Sequence, residues 1–165
     1  MTNAPRPDPF ADATPEIVAE AAAVFAACRH GALATIAPGD GWPQATRVGL
    51  APVGRFRGLI LVSALAAHTA ALRADPRCSL LVGEAGKGDP LAHKRLTLRC
   101  RAREIFREDA EGYAVARAAY LVAQPKAKLY IDLGDFALMA LAPESVSFNG
   151  GFGRAARIER EMLAG

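Results

Sequence analysis

The hydrophobic period of this chain changes several times, and each change marks an element. Leu59 to Val62 is an unbroken apolar run, the pattern of a strand buried on both faces. It stops at Ser63, and an Ala-rich segment of high helix propensity follows and ends before Pro76. A strand therefore feeds almost directly into a helix, and the turn between them carries Ser63, His68 and Thr69. Upstream, Thr14-Pro15-Glu16 is a helix start. The stripe Ile17, Val18, Ala21, Val24, Phe25 carries that helix to about Arg29, with Gly31 beyond its end.

From Ala32 the period becomes that of strands. Ala32–Ala37 and Gln44–Val53 flank the turn Pro38-Gly39-Asp40-Gly41 and read as a hairpin. Arg77–Glu84 alternates and predicts another strand. Lys94–Phe106 sets Leu96, Leu98, Cys100 and Ala102 on one face and Thr97, Arg99, Arg101 and Arg103 on the other. Glu108–Val122 returns to helix, and Lys128–Asp132 predicts a further short helical piece. Phe136–Leu141 and Ser145–Phe148 read as two short strands separated by Ala142-Pro143-Glu144. Met1 to Ala13, with Pro5, Pro7 and Pro9, reads as a flexible arm before a single domain from residue 14 to 165. Strand–helix alternation is not sustained, so the pattern predicts an α+β fold, an antiparallel, closed or partly closed β-barrel with helices at its ends.

Composition narrows the function classes. The 165 residues are 52% hydrophobic and 22% charged, enough to bury a core. A net charge of +3 suits an anionic small ligand, and no basic run is interleaved with aromatics, so nucleic acid is not an expected partner. No apolar stretch is long enough to span a bilayer, so no membrane partner is expected. Cys28, Cys78 and Cys100 lie in apolar periodic segments without metal-like spacing; they read as reduced core thiols of a cytoplasmic protein, and no metal site is expected.

The chemistry concentrates at the Ser63–Thr69 turn. A helix N-terminus offers unpaired amides and partial positive charge, a seat for a phosphate to which Ser63 and Thr69 hydroxyls and His68 could add. The same residues also fit a plain helix with Ser63 as its cap and His68 in solvent, the commoner arrangement. Arg47 shares its strand face with Ala45 and Gly49, small residues that would leave room for a bound molecule, though an arginine reaching water fits equally. Three glycines around Phe152 (Gly150, Gly151, Gly153), followed by Arg154, suggest backbone in close approach to something. No arrangement of side chains suggests a nucleophile, so no catalytic residue is assigned.

In combination, these residues resemble a known family. The order of helix, hairpin with Arg47, Val62-Ser63 turn with His68-Thr69, Asp75-Pro76-Arg77-Cys78-Ser79-Leu80 and Arg95-Leu96-Thr97-Leu98 looks like the FMN-binding split barrels related to pyridoxamine 5'-phosphate oxidase. The resemblance runs from about Ala19 to Arg157. Ser63-x-Leu65-Ala66-x-His68-Thr69, Gly88-Asp89-Pro90-Leu91-Ala92-His93 and Asn149-Gly150-Gly151-Phe152-Gly153-Arg154-Ala155 are similar to its haem iron utilisation branch.

The resemblance implies FMN as cofactor, its phosphate met by Arg47, His68 and Thr69, with Ser63 adding a hydroxyl. Arg95 falls where the family has a flavin-contacting Gln, and Ala67 where the oxidases have Arg. Backbone at Val48-Gly49 and Leu61-Val62 would flank the ring system. Phe148 takes the place of a flavin-contacting Trp, and Arg154 that of a substrate-binding Arg. It further implies a homodimer with the flavin at the interface and an oxidoreductase acting on a small substrate. Ala156 stands where vitamin B6 oxidases have His, which points away from that substrate. The alternative is a haem-binding or haem-degrading protein. Haem-degrading relatives ligate iron through a His near their C-terminus, so here the ligand would be His30, His68 or His93, or would come from outside the chain.

Overall fold

The computed structural model describes residues 10–151 and 153–163. Its strands are β1 (Ala11–Asp12), β2 (His30–Ile36), β3 (Pro43–Pro52), β4 (Gly58–Ser63), β5 (Arg77–Val82), β6 (Arg95–Ile105), β7 (Phe136–Asn149) and β8 (Ala155–Ile158). Its α-helices are α1 (Pro15–Ala27), α2 (Ala67–Ala74) and α3 (Ala110–Ala123). The strand order β7-β4-β3-β2-β5-β6 closes on itself because β6 also pairs with β7. All six contacts around this ring are antiparallel, giving the expected α+β split barrel.

Alternation explains which side chains fill the barrel. Leu33, Val48, Leu50, Ile60, Val62, Cys78, Leu80, Val82, Leu96, Leu98 and Phe148 point inward into one core, and Val18, Ala21 and Phe25 of α1 join it. Thr14 caps α1, accepting from the Ile17 amide. A second, smaller core forms outside the barrel, where Tyr113, Ala116 and Tyr120 of α3 cover Ala51, Leu59 and Leu138.

Two expectations are corrected. Phe136–Asn149 is one strand, not two: Pro143 pairs with Cys100 and Ser145 with Arg99, so Glu144 is the extra residue of a bulge. Pro143 is tolerated there because β4 has ended, at the Gly58–Leu141 pair, and β8 has not begun, its first pair being Val146–Ile158. The short helical piece is a 3-10 turn over Pro125–Leu129, a few residues earlier than the pattern suggested. Of the expected arm, residues 1–9 lie outside the described residues, while Ala11 and Asp12 pair parallel with β8.

Candidate functional site

The β3–β4 ladder is short. It pairs Pro52 with Gly58, Ala51 with Leu59 and Leu50 with Ile60, and then stops. Continued, the register would set Gly49 against Leu61, Val48 against Val62 and Arg47 against Ser63. The barrel therefore opens along a seam bordered by the six residues that sequence reading placed on these two strands. Val48 and Val62 turn their side chains into the core, leaving backbone at the seam. Arg47 is exposed on the outer face, and among the described residues it has no ion-pair partner.

Helix α2 starts just beyond β4. Its N-cap is Ala66, which contributes no side-chain bond, so Ser63 does not cap the helix. The Ser63 hydroxyl instead accepts from the Leu65 amide at 3.2 Å, and so keeps its own proton for another partner. The Thr69 hydroxyl is fully buried and donates to the Ser63 carbonyl at 2.6 Å. It latches the turn and has no proton left for a ligand. The amides of Ala67 and His68 have no acceptor among the described residues. Burial pulls the His68 imidazole below its ordinary value and so favours its neutral form.

Room beside Gly49 is not open as the small side chains suggested. A Cβ there would lie 2.9 Å from the Tyr120 hydroxyl. That phenol stands in the seam, and burial pushes it up to about 12, with Tyr130 adding to the rise and the Leu61 backbone opposing it. Gln124, the residue that ends α3, donates to the carbonyls of Arg29 and Leu50. Sequence reading missed both residues. The only local signal was a polar-tipped Tyr120 on the apolar stripe of α3 and an amide side chain just past its end.

The remaining expected residues sit elsewhere. Arg95 shares the outer face with Arg47, but three strand steps separate them, roughly 14 Å, so within one chain they do not meet on one phosphate. Its guanidinium donates to the Leu91 and His93 carbonyls. Phe148 is 1% exposed and fills the barrel core, which takes its ring away from any ligand on the outer face. Arg154 pairs with Glu20 at 2.8 Å, sharing that carboxylate with Lys94. The glycine cluster forms the β7–β8 turn, closed by Gly150 and Arg154, with Gly151 against the Ala92 carbonyl; Phe152 lies outside the described residues.

Two broader features frame the seam. Registers across six strands align Arg47, Ala32, Leu81, Thr97, Ser147 and Arg157 in one outward row. Ala32, Arg47, Leu81 and Thr97 are all exposed, so a floor of mostly small side chains around Leu81, with Arg47 at one end, lies open. At the top of the barrel a separate cleft of about 660 Å³ is lined by Cys28, His30, Glu84, His93 and Lys94 among others. There His30 Nε2 lies 2.8 Å from Glu84, and His93 Nε2 lies 3.1 Å from the Lys87 carbonyl. Among the described residues no cluster suited to a metal ion occurs, and no helix is long and apolar enough to cross a membrane.

Comparison with known proteins gives the family. The family model described as pyridoxamine 5'-phosphate oxidase matches residues 17–150, and the chain belongs to that family. A chloroplastic heme oxygenase of Arabidopsis thaliana, HOZ, is 34% identical over 116 residues, which are 70% of this chain and 34% of that protein. The solved structure of a heme binding protein from Mycobacterium smegmatis is 34% identical, with a TM-score of 0.81, covering 92% of this chain and 61% of that one. A FAD-binding protein from Mesorhizobium loti, 23% identical, shares the fold with a TM-score of 0.64 over 79% of this chain and 91% of its own. The chain thus spans about a third of the heme oxygenase and three fifths of the heme binding protein.

Proposed function

We propose that this member of the pyridoxamine 5'-phosphate oxidase family binds FMN at the β3–β4 seam and serves as an oxidoreductase toward a small substrate. The observation that carries the reading is the seam itself: a free cation, Arg47, on one lip, and the free amides of Ala67 and His68 following the other. The donor set fits a phosphate. Ser63 retains a proton to give, Arg47 supplies charge, and a bound dianion would draw a proton onto His68. Thr69 holds the turn rather than the ligand. Bound flavin would supply hydride and electron transfer, and the chain's own residues would hold and orient it.

The site is an open face rather than a closed pocket, and we take a second copy of the chain to complete it. The row beside Arg47, with Leu81 exposed near its middle, offers an apolar floor for such a partner.

Haem is a second reading, favoured by two relatives at 34% identity that are named for heme. The top cleft, with His30 and His93 and the cations Arg29 and Lys94, has the donor types for iron and propionates, although both imidazoles are already engaged. Titration of the purified chain with each ligand decides. Quenched flavin fluorescence that Arg47→Ala weakens supports FMN; a Soret band lost in His30→Ala or His93→Ala supports haem. Absence of both removes each cofactor from this protein.

A further inference from the structure

Helix α3 uses one side to cover the barrel and leaves another apolar side in solvent. Tyr113, Ala116 and Tyr120 face the small outer core, whereas Val115 is 66% and Val122 87% exposed, with exposed Ala118 between them. Spacings of three and four residues line these up as a single ridge. Beside the ridge runs a groove of about 510 Å³, bounded by Gly112, Ala116 and Ala119 of the helix and by Val53 and Leu59 of the sheet. A ridge lying next to a groove on one face is the shape that two copies need to interlock.

The two ends of the groove carry opposite charge. Asp109 and Glu111 line it at the start of α3. Val53, at the other end, borders the β3–β4 turn and donates its amide to the Arg57 carbonyl at 2.9 Å. Within that turn Phe56 is buried in the barrel core, which leaves Arg55 and Arg57 on either side of it exposed. None of these four charged side chains has an ion-pair partner among the described residues. Arg103, two strands from Leu59 in register, bonds neither carboxylate.

We propose that this face docks a second copy of the chain about a two-fold axis, each copy's Val115–Val122 ridge entering the other's groove. The two-fold reverses the groove end for end, so the acids at the start of one α3 meet the arginines of the other copy's β3–β4 turn. The inference does not rest on the cofactor reading, and it uses neither the seam nor the outward row around Leu81. A patch this small gives a weak contact, so dilute protein keeps whatever state the Leu81 face sets, and association through α3 follows as concentration rises.

Sedimentation of the full chain at concentrations up to about 0.5 mM tests this. The mass doubles as concentration rises, and added salt weakens the doubling. Val115→Glu abolishes it while leaving the dilute species and its FMN binding as in the parent. Glu111→Arg and Arg57→Glu each weaken association about tenfold, because every contact occurs twice across the axis. Combined in one chain, the two reversals restore it; any cost of Glu111→Arg to the helix persists in the double variant, so recovery reports the pairing alone. A parent that never doubles, a doubling that Val115→Glu leaves intact, or a double variant no better than the single ones overturns the proposal. A parent that doubles without binding FMN separates failure of the cofactor reading from failure of this one.

Discussion

Thr69 spends its one proton inside the protein, on the Ser63 carbonyl, and this fixes how the β4–α2 turn works. Spacing placed three polar side chains at the turn, but no pattern of residue types says where a hydroxyl proton goes. Thr69→Val should cost about 1 kcal/mol in urea unfolding, because it removes one of the two hydrogen bonds on the Ser63 carbonyl, leaving only that from the Ala66 amide. Arg47→Ala should leave stability nearly unchanged and weaken FMN binding by roughly ten- to a hundredfold in a fluorescence titration, the scale of a charge-assisted contact. Phe148, by contrast, was legible: Ser145 and Ser147 alternate with Val146 and Phe148, so the ring had to point inward. Thr35 was readable in the same way, sharing the inward side of β2 with Gly31 and Leu33, but that its hydroxyl has no hydrogen-bond partner among the described residues was not.

Among the elements, strands and helices fell close to their expected bounds because period and breakers agree. The exception was Ala142-Pro143-Glu144, a breaker by composition that a bulge absorbs where β7 has one unpaired side. Two turns carry testable chemistry. Gly83 has φ +122°, and a Cβ there would stand 2.5 Å from the Lys94 carbonyl oxygen, so Gly83→Ala should lose roughly 2 kcal/mol or more in a denaturant melt. Entry into β5 is set by Asp75, whose carboxylate takes the Arg77 guanidinium and amide; these hold its carboxyl down at about 2. A depressed carboxylate stabilises the fold above its unfolded value near 3.8, and that contribution fades as pH falls toward 2. Asp75→Asn should therefore be less stable than the parent at pH 7, with the difference closing between about pH 4 and pH 2 in parallel melts.

For the whole molecule, the closed ring and its split were implied by the motifs together, whereas the aligned outward row needed the registers of five strand pairs. No single strand shows that Arg47 and Arg157 end the same line. Leu81, 45% exposed near the middle of that row, is the residue a second copy would cover. Leu81→Glu should convert a sedimenting dimer to monomer and release FMN with it, at unchanged melting temperature measured in dilute, cofactor-free solution. A monomeric parent that retains FMN would show that one copy suffices.

One step of the barrel's circumference is bridged by a phenol from α3 instead of a continuing ladder. At that level the spacing of β3 and β4 is set by packing on a side chain and not by ladder hydrogen bonds. The width of the opening thus depends on how a helix some sixty residues downstream is seated, because Tyr120 of α3 is the peg that stands in it.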